Sequence, residues 1–281
     1  MVNISITYNG ENIQCTPDIL KVITNNIITN NETDNTNIIN DQYTQLLTDR
    51  EEGYLQLKDG SVWKGYSFGY PKSISGEVVF NTAMVGYPES LTDPSYKGQI
   101  LVLTYPSIGN YGIPSDIMDE NKLLKYFESS KIQISGLIIS NYSQFESHWN
   151  SNTNLSNWLI ENKIPAIYGI DTRQLTIKLR DNGLLLGKLI VNNNYIDEWY
   201  DPNTTNLVSQ VSTKQPYILN DNPNYKTIIV VDCGIKYNII RQLLNYNVRL
   251  KIVPWDYNFN LDIEKEDIAG LFISNGPGNP S

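Results

Sequence analysis

A loop rich in glycine and proline, GPGNP at residues 276–280, follows the apolar run LFISN. Glycines let a backbone approach a ligand closely and adopt positive φ, so their amides can face an anion or a developing oxyanion. Proline fixes the loop and reduces the rearrangement that a reaction would require. The pattern leaves two interpretations open, an oxyanion loop and a simple turn that ends a strand.

A serine in a second tight loop is the other candidate ligand contact. Ser95 stands directly after a proline in LTDPSY, where its hydroxyl can hydrogen-bond either its own turn or a ligand. Three carboxylates, Glu77, Glu89 and Asp93, flank the same region. The spacing of these carboxylates does not distinguish an acid–base role from simple solvation, and solvation is the default interpretation. For Ser95, the residues alone favour a hydrogen bond within its own turn over a contact with a ligand.

Two cysteines and one histidine limit the nucleophilic and metal chemistry of this chain. A nucleophilic cysteine needs an adjacent base and a lowered pKa. Cys233 follows the run TIIVVD, whereas the one histidine, His148, lies in a Ser- and Asn-rich stretch far away in sequence. We interpret Cys233 as a structural thiol and His148 as a surface residue. With Cys15, the two cysteines form neither a disulfide framework nor a zinc site by themselves.

Composition and motifs exclude several classes of function. The turn VVDCGIKYN has one glycine where a dinucleotide fingerprint has three, and no GxxxxGK[ST] loop for ATP occurs. The net charge of −9 and the pI near 4.7 argue against nucleic acid binding. No apolar run reaches the ~18 residues of a membrane span, and the start lacks signal-peptide features. We therefore expect a cytoplasmic protein that acts on small molecules.

Two units of different pattern position these residues. Residues 53–191 show short β runs between Gly- and Pro-rich turns, followed by a helix in DTRQLTIKLRDNG with Asp171 or Thr172 as N-cap and Gly183 at its end. Residues 226–281 show a βαβαβ pattern, with TIIVVD, VRLKIVPWD and LFISN as strands. The second pattern predicts the opening of a doubly wound parallel sheet.

The remaining segments are polar. Residues 1–52 are predicted to be a disordered extension, above all the Asn-rich stretch Thr24–Asp41, because such a tract buries little apolar surface. Residues 192–225, rich in Asn and Pro, are predicted to be a linker. Three strands that stop at a glycine loop predict that the domain of residues 226–281 is incomplete.

Four strings resemble the carbamoyl-phosphate synthetase small-chain family: the segment Gly76–Ser115, GIDTRQLT, DCGIKYNIIRQLL and FISNGPGNP, in the order that the family shows. The form YPSIGNYGIPS resembles eukaryotic members of the pyrimidine pathway. The resemblance covers about residues 53–281 apart from the linker. It implies an α/β fold, with an N-terminal β/β/α small-chain domain followed by the start of a flavodoxin-like class I glutamine amidotransferase domain.

The resemblance also implies an activity. Members of the family hydrolyse glutamine, and a synthetase large chain or fused domain uses the ammonia with bicarbonate and ATP to make carbamoyl phosphate for pyrimidine or arginine biosynthesis. ATP and Mg²⁺ are therefore expected in the synthetase portion, and no cofactor is expected in this chain. Glutamine and the synthetase are the implied partners.

The resemblance also assigns roles to residues of this chain that match the family motifs. The resemblance implies that Ser95 contacts glutamine, that Gly276 and Gly278 line the glutamine site, and that Gly276 supplies an oxyanion amide. The family's catalytic cysteine, in G-x-C-x-G-x-Q, and its later His and Glu lie downstream of NGPGNP. No residue here inherits those roles, and we expect the 281 residues alone to be inactive. The alternative is a non-catalytic relative that only docks on a synthetase partner.

Overall fold

The computed structural model describes residues 4–8, 11–15, 51–263 and 268–279, in two compact units, 1–50 and 51–281. The first unit contains an antiparallel hairpin of β1 (Ile4–Tyr8) and β2 (Glu11–Cys15), within the residues predicted to be an extension. The stretch Thr24–Asp41 lies outside the described residues, so its disorder stays a prediction.

Seven strands of the second unit close into a barrel, because each strand finds partners on both sides. The pairs β5–β6, β6–β7 and β7–β8 are parallel, and all other neighbouring pairs of the barrel are antiparallel. The order around the barrel is β3-β4-β8-β7-β6-β5-β9. The strands are β3 (Glu52–Leu57), β4 (Val62–Ser67), β5 (Ile74–Asn81), β6 (Gln99–Leu103), β7 (Gly136–Ile139), β8 (Ala166–Tyr168) and β9 (Leu185–Val191).

Three helices cover this barrel. They are α1 (Tyr87–Thr92), α2 (Leu155–Glu161) and α3 (Thr172–Asn182). One side of the strands forms an apolar cluster with Leu175 and Leu179 of α3, and the alternate residues form a second cluster with α1 and α2. The predicted ends of α3 are confirmed: Asp171 accepts a hydrogen bond from the Gln174 amide, and Gly183 follows the last turn with φ 72°.

A four-stranded sheet follows in the order β10-β12-β11-β13. The predicted βαβαβ pattern is confirmed, since β12, β11 and β13 are parallel and adjacent. A first strand that lies between the second and the third is the flavodoxin-like arrangement. The elements are β10 (Tyr217–Leu219), β11 (Thr227–Asp232), α5 (Tyr237–Leu244), β12 (Arg249–Pro254), α6 (Asn260–Ile263) and β13 (Ile268–Ile273).

The segment 192–225, predicted to be a linker, carries regular structure of its own. It contains a 3-10 helix (Pro202–Thr204), α4 (Leu207–Val211) and β10, which pairs antiparallel with β12. Its polar side chains cap these short helices: Asp201 accepts from the Asn203 amide, and Asn206 accepts from the Ser209 amide. Asn and Asp favour caps and turns as much as disorder, and here they start helices. Within the described residues, no helix is long and apolar enough to cross a membrane.

Arg241 of α5 joins the second sheet to the barrel domain. Its Nε lies 2.8 Å from Asp119 Oδ2, and its Nη2 donates to the Leu124 carbonyl. The two charged side chains are 23% and 15% exposed, so water screens the pair only partly. Leu123, beside these groups, packs into the apolar cluster around Ile240 of the second sheet. The two domains therefore share core residues as well as an ion pair.

Arg241→Ala is expected to lower the free energy of unfolding by about 2 kcal/mol, because it leaves the half-buried Asp119 carboxylate without its partner. Burial alone would raise the pKa of Asp119, but hydrogen bonds from Arg241 and two backbone amides lower it below its usual range. The contribution is therefore present above the ordinary pKa of aspartate, about 3.9, and is lost as the pH falls through the lowered value.

Urea denaturation at neutral pH measures this effect, with Arg180→Ala as the matched control, since Arg180 and Asp181 form a pair that is 66% and 56% exposed. The control is expected to change stability by less than about 0.5 kcal/mol. Equal effects of the two substitutions, or an Arg241 effect that persists unchanged in strong acid, would contradict the assignment.

Candidate functional site

Ser95 lies on a 3-10 helix (Pro94–Tyr96) between α1 and β6. The buried carboxylate of Asp93 holds this turn, since its Oδ1 accepts a hydrogen bond from the Ser95 amide at 2.9 Å. Its other oxygen lies 2.6 Å from the ammonium of Lys236, which follows β11 in the second domain. One carboxylate therefore orders the Ser95 turn and ties it to the neighbouring domain.

The residues after β13 are tied to the end of β11. The Ser274 amide donates to the Val231 carbonyl at 3.1 Å. The Ser274 hydroxyl accepts from the Cys233 amide at 2.9 Å and donates to the Asn275 carbonyl at 2.8 Å. These bonds bring the glycine loop to the carboxyl ends of two neighbouring parallel strands, which is where open α/β sheets bind their ligands.

Gly276 is required by a close approach of two chain segments. A Cβ at this position would stand 2.0 Å from the Cys233 carbonyl oxygen, which no real side chain tolerates. Gly278, in the same loop, has φ 92°, in the left-handed region that glycine enters without strain. Chain packing at Gly276 and backbone conformation at Gly278 thus explain why glycine occupies these positions, independent of any ligand.

The structure brings Ser95 and the glycine loop together across the domain boundary. The Asn275 side-chain amide donates to the Ser95 hydroxyl oxygen at 3.3 Å, and Gly276 follows Asn275 directly. Ser95 is half-buried and Asn275 is exposed, so their contact lies near the protein surface. Asn275 was not predicted as a site residue, although it is a polar residue at the point where a parallel strand meets a glycine loop.

The turn after β11 is filled by its own carboxylate. Asp232 is buried, and its Oδ1 accepts hydrogen bonds from the Gly234 and Ile235 amides at 2.9 Å each. Its Oδ2 accepts from the Thr213 amide at 2.7 Å. Successive amides of this kind form an anion site in many proteins. Here Asp232 occupies them, which explains physically why this turn is a poor phosphate loop.

Cys233 and His148 lie in different domains, and no hydrogen bond joins them within the described residues. Burial raises the pKa of the Cys233 thiol, and the adjacent Asp232 carboxylate raises it further, so the thiol form is favoured. His148 is exposed in the barrel domain, with its ring beside Tyr111 and Trp149. Of the flanking carboxylates, Asp93 orders the Ser95 turn, and Glu77 accepts a hydrogen bond from Gln99 at 2.9 Å.

Fold and site together define an α/β protein in which a barrel domain meets the strand ends of a flavodoxin-like sheet at the contact of Ser95 with Asn275. Residues 55–189 match the family described as carbamoyl-phosphate synthase small chain, CPSase domain. Residues 229–281 match glutamine amidotransferase class-I. The chain therefore belongs to the carbamoyl-phosphate synthase small-chain family. Its small-chain domain is followed by residues of a class I glutamine amidotransferase domain.

Similarity to proteins from distant organisms supports the same family. The multifunctional protein URA2 of Saccharomyces cerevisiae is 48% identical, over 81% of this chain and 12% of the relative. The multifunctional protein CAD of Squalus acanthias is 53% identical, over 80% and 10%. The human mitochondrial carbamoyl-phosphate synthase [ammonia] is 46% identical, over 82% and 15%. The chain thus spans 10% to 15% of the length of these relatives.

Proposed function

We propose that this chain is part of a glutamine-hydrolysing carbamoyl-phosphate synthase and supplies part of its glutamine site. The observation that supports the proposal is the hydrogen bond between Asn275 and Ser95, since Asn275 directly precedes Gly276 in the chain. Ser95 comes from the small-chain domain and Gly276 from the amidotransferase domain, so the proposed site needs both domains.

The proposed roles follow from donors and acceptors. Because Asn275 donates to the Ser95 oxygen, the Ser95 hydroxyl proton is free to donate to an acceptor on the ligand, such as a carboxylate oxygen of glutamine. The Gly276 amide stabilises the oxyanion that develops on the carbonyl oxygen of the substrate's side-chain amide, and Gly278 lines the site. The catalytic cysteine, histidine and glutamate are proposed to come from other residues of the full-length protein.

The ammonia is proposed to pass to a synthetase portion, a large chain or a fused domain, which uses bicarbonate, ATP and Mg²⁺. Multifunctional relatives that are far longer than this chain support a fused arrangement. The form of YPSIGNYGIPS favours pyrimidine over arginine biosynthesis as the pathway. The cytoplasmic location predicted from the sequence stays a prediction.

A second function is favoured by one relative. The human protein, 46% identical, is named for ammonia as its nitrogen source. In that case the domains described here would dock on the synthetase without hydrolysing glutamine. Ser95, Gly276 and Gly278 do not decide between the two, because a binding cleft can persist without its nucleophile.

The nitrogen source of the full-length protein tests the proposal. We expect carbamoyl phosphate synthesis with glutamine as well as with ammonium salts. Synthesis with ammonium salts alone would contradict glutamine hydrolysis and support the docking function.

The polypeptide of residues 1–281, assayed alone, is expected to release no ammonia from glutamine above a buffer blank. The raised pKa of Cys233 disfavours the thiolate that amide hydrolysis requires, and His148 lies in a different surface region. Cys233→Ser is the matched control and is expected to behave like the unchanged polypeptide. Turnover that Cys233→Ser abolishes would overturn this assignment.

A further inference from the structure

A concave surface of about 440 Å³ lies beside the start of α1 in the barrel domain. We name it the aromatic groove, and it is lined by Val85, Glu89, Tyr111, Tyr126, His148 and Trp149. Trp149 is 86% exposed and Val85 is 75% exposed, which is unusual for large apolar side chains grouped in one depression. Grouped exposed apolar side chains of this kind mark interaction sites.

One ring in the wall of the aromatic groove is anchored by stacking and hydrogen bonds. The Tyr111 ring stacks on Tyr87 with ring centres 4.2 Å apart, and its hydroxyl accepts hydrogen bonds from the Gly86 and Tyr87 amides at 2.8 and 3.0 Å. His148 lies edge-on to Tyr111, and the ring of Trp149 is 5.4 Å from that of His148. A ring that is anchored like Tyr111 binds a planar cation with little loss of its own conformational entropy.

The aromatic groove also carries an unpaired negative charge. The Glu89 carboxylate lines it, and no lysine or arginine in the part of the chain that the structure describes forms an ion pair with it. The surrounding protein raises the pKa of Glu89 by desolvation, and the nearby Glu128 carboxylate raises it further. A bound cation would offset both effects.

One ring of the aromatic groove, Tyr126, already has a cation near its face. The ammonium of Lys125 lies 5.3 Å from the centre of the Tyr126 ring, within the range of a cation–π interaction. The Tyr111 and Trp149 rings, in contrast, have no such cation within the described residues.

We propose that the aromatic groove binds an arginine side chain of a partner polypeptide, with the guanidinium against the Tyr111 and Trp149 rings and paired with Glu89. A guanidinium is planar, stacks on aromatic faces, binds a carboxylate through two parallel hydrogen bonds and is weakly hydrated, whereas an ammonium is a compact, strongly hydrated charge. The chain's net charge of −9 favours encounter with a cationic partner. Relatives of which this chain covers only 10% to 15% carry ample further polypeptide that could supply the arginine.

The single histidine gives this proposal a clean reporter. His148 lines the aromatic groove and is the one histidine of the chain, so its ring resonance in an NMR spectrum is assigned without ambiguity. The 281-residue chain is titrated with the N-methylamide of N-acetylarginine, and separately with the corresponding lysine and norleucine derivatives. We expect a saturable shift of the His148 resonance, with arginine binding at least about threefold more tightly than lysine and fivefold more tightly than norleucine.

Substitutions locate the site. Glu89→Gln and Trp149→Leu are each expected to weaken arginine binding at least about threefold. Glu161→Gln and Tyr246→Leu, at an exposed carboxylate and an exposed ring elsewhere, are the matched controls and are expected to leave it unchanged. A shift that does not saturate, equal binding of the arginine and norleucine or lysine derivatives, or a Glu89→Gln variant that binds like the unchanged chain would overturn the proposal.

Discussion

Gly276→Ala is expected to lower glutamine-dependent synthesis of carbamoyl phosphate by the full-length protein at least about 100-fold, because loss of one oxyanion donor alone costs 10²–10³ in rate. The physical cause is steric. An added Cβ would stand 2.0 Å from the Cys233 carbonyl oxygen and 2.9 Å from its carbon, so the loop must leave the end of β11. Moving the loop displaces the Gly276 amide and breaks the contact between Asn275 and Ser95.

Ammonia-dependent synthesis separates this effect from misfolding. It is expected to stay within about twofold, because ammonia bypasses the glutamine site. Gly270→Ala is the matched control on the preceding strand, since a Cβ there meets no atom of the described residues within 4 Å. Similar kinetics for the two variants, or a parallel loss with both nitrogen sources, would show that Gly276 has no specific role in glutamine use.

Local sequence signals predicted the elements that depend on local chemistry. The N-cap Asp171 and the terminal Gly183 placed α3 within its observed ends, because capping acts over three or four residues. Continuous apolar runs predicted the parallel strands of the second sheet, because strands covered on both faces need apolar residues throughout. Closure of the barrel was beyond such signals, since it depends on pairs such as Gly53 with Val191.

In the candidate site, too, local motifs were predicted from the sequence and contacts between distant residues were not. Ser95 and the glycine loop were predicted from their motifs, but the contact that joins them spans 180 residues of sequence. The ion pair of Asp93 with Lys236 also links separate domains, and no local pattern indicates such a partner. The polar segment 192–225 was interpreted as a linker because composition does not distinguish capping side chains from solvated ones.

Ser95→Ala in the full-length protein tests the central claim most directly, with Ser209→Ala, which removes a hydroxyl from the start of a different short helix, as the matched control. A lost hydrogen bond to a charged ligand group is worth roughly 1.5–3 kcal/mol. We therefore expect kcat/KM for glutamine to fall about 10- to 100-fold.

The rate with ammonium salts, measured on the same preparations, gives the decisive comparison. The account predicts that the Ser95→Ala variant keeps its ammonia-dependent rate and that the Ser209→Ala variant keeps both rates. Unchanged kcat/KM for glutamine in Ser95→Ala, or an equal loss with glutamine and with ammonium salts, would contradict a glutamine site formed by Ser95 and the glycine loop.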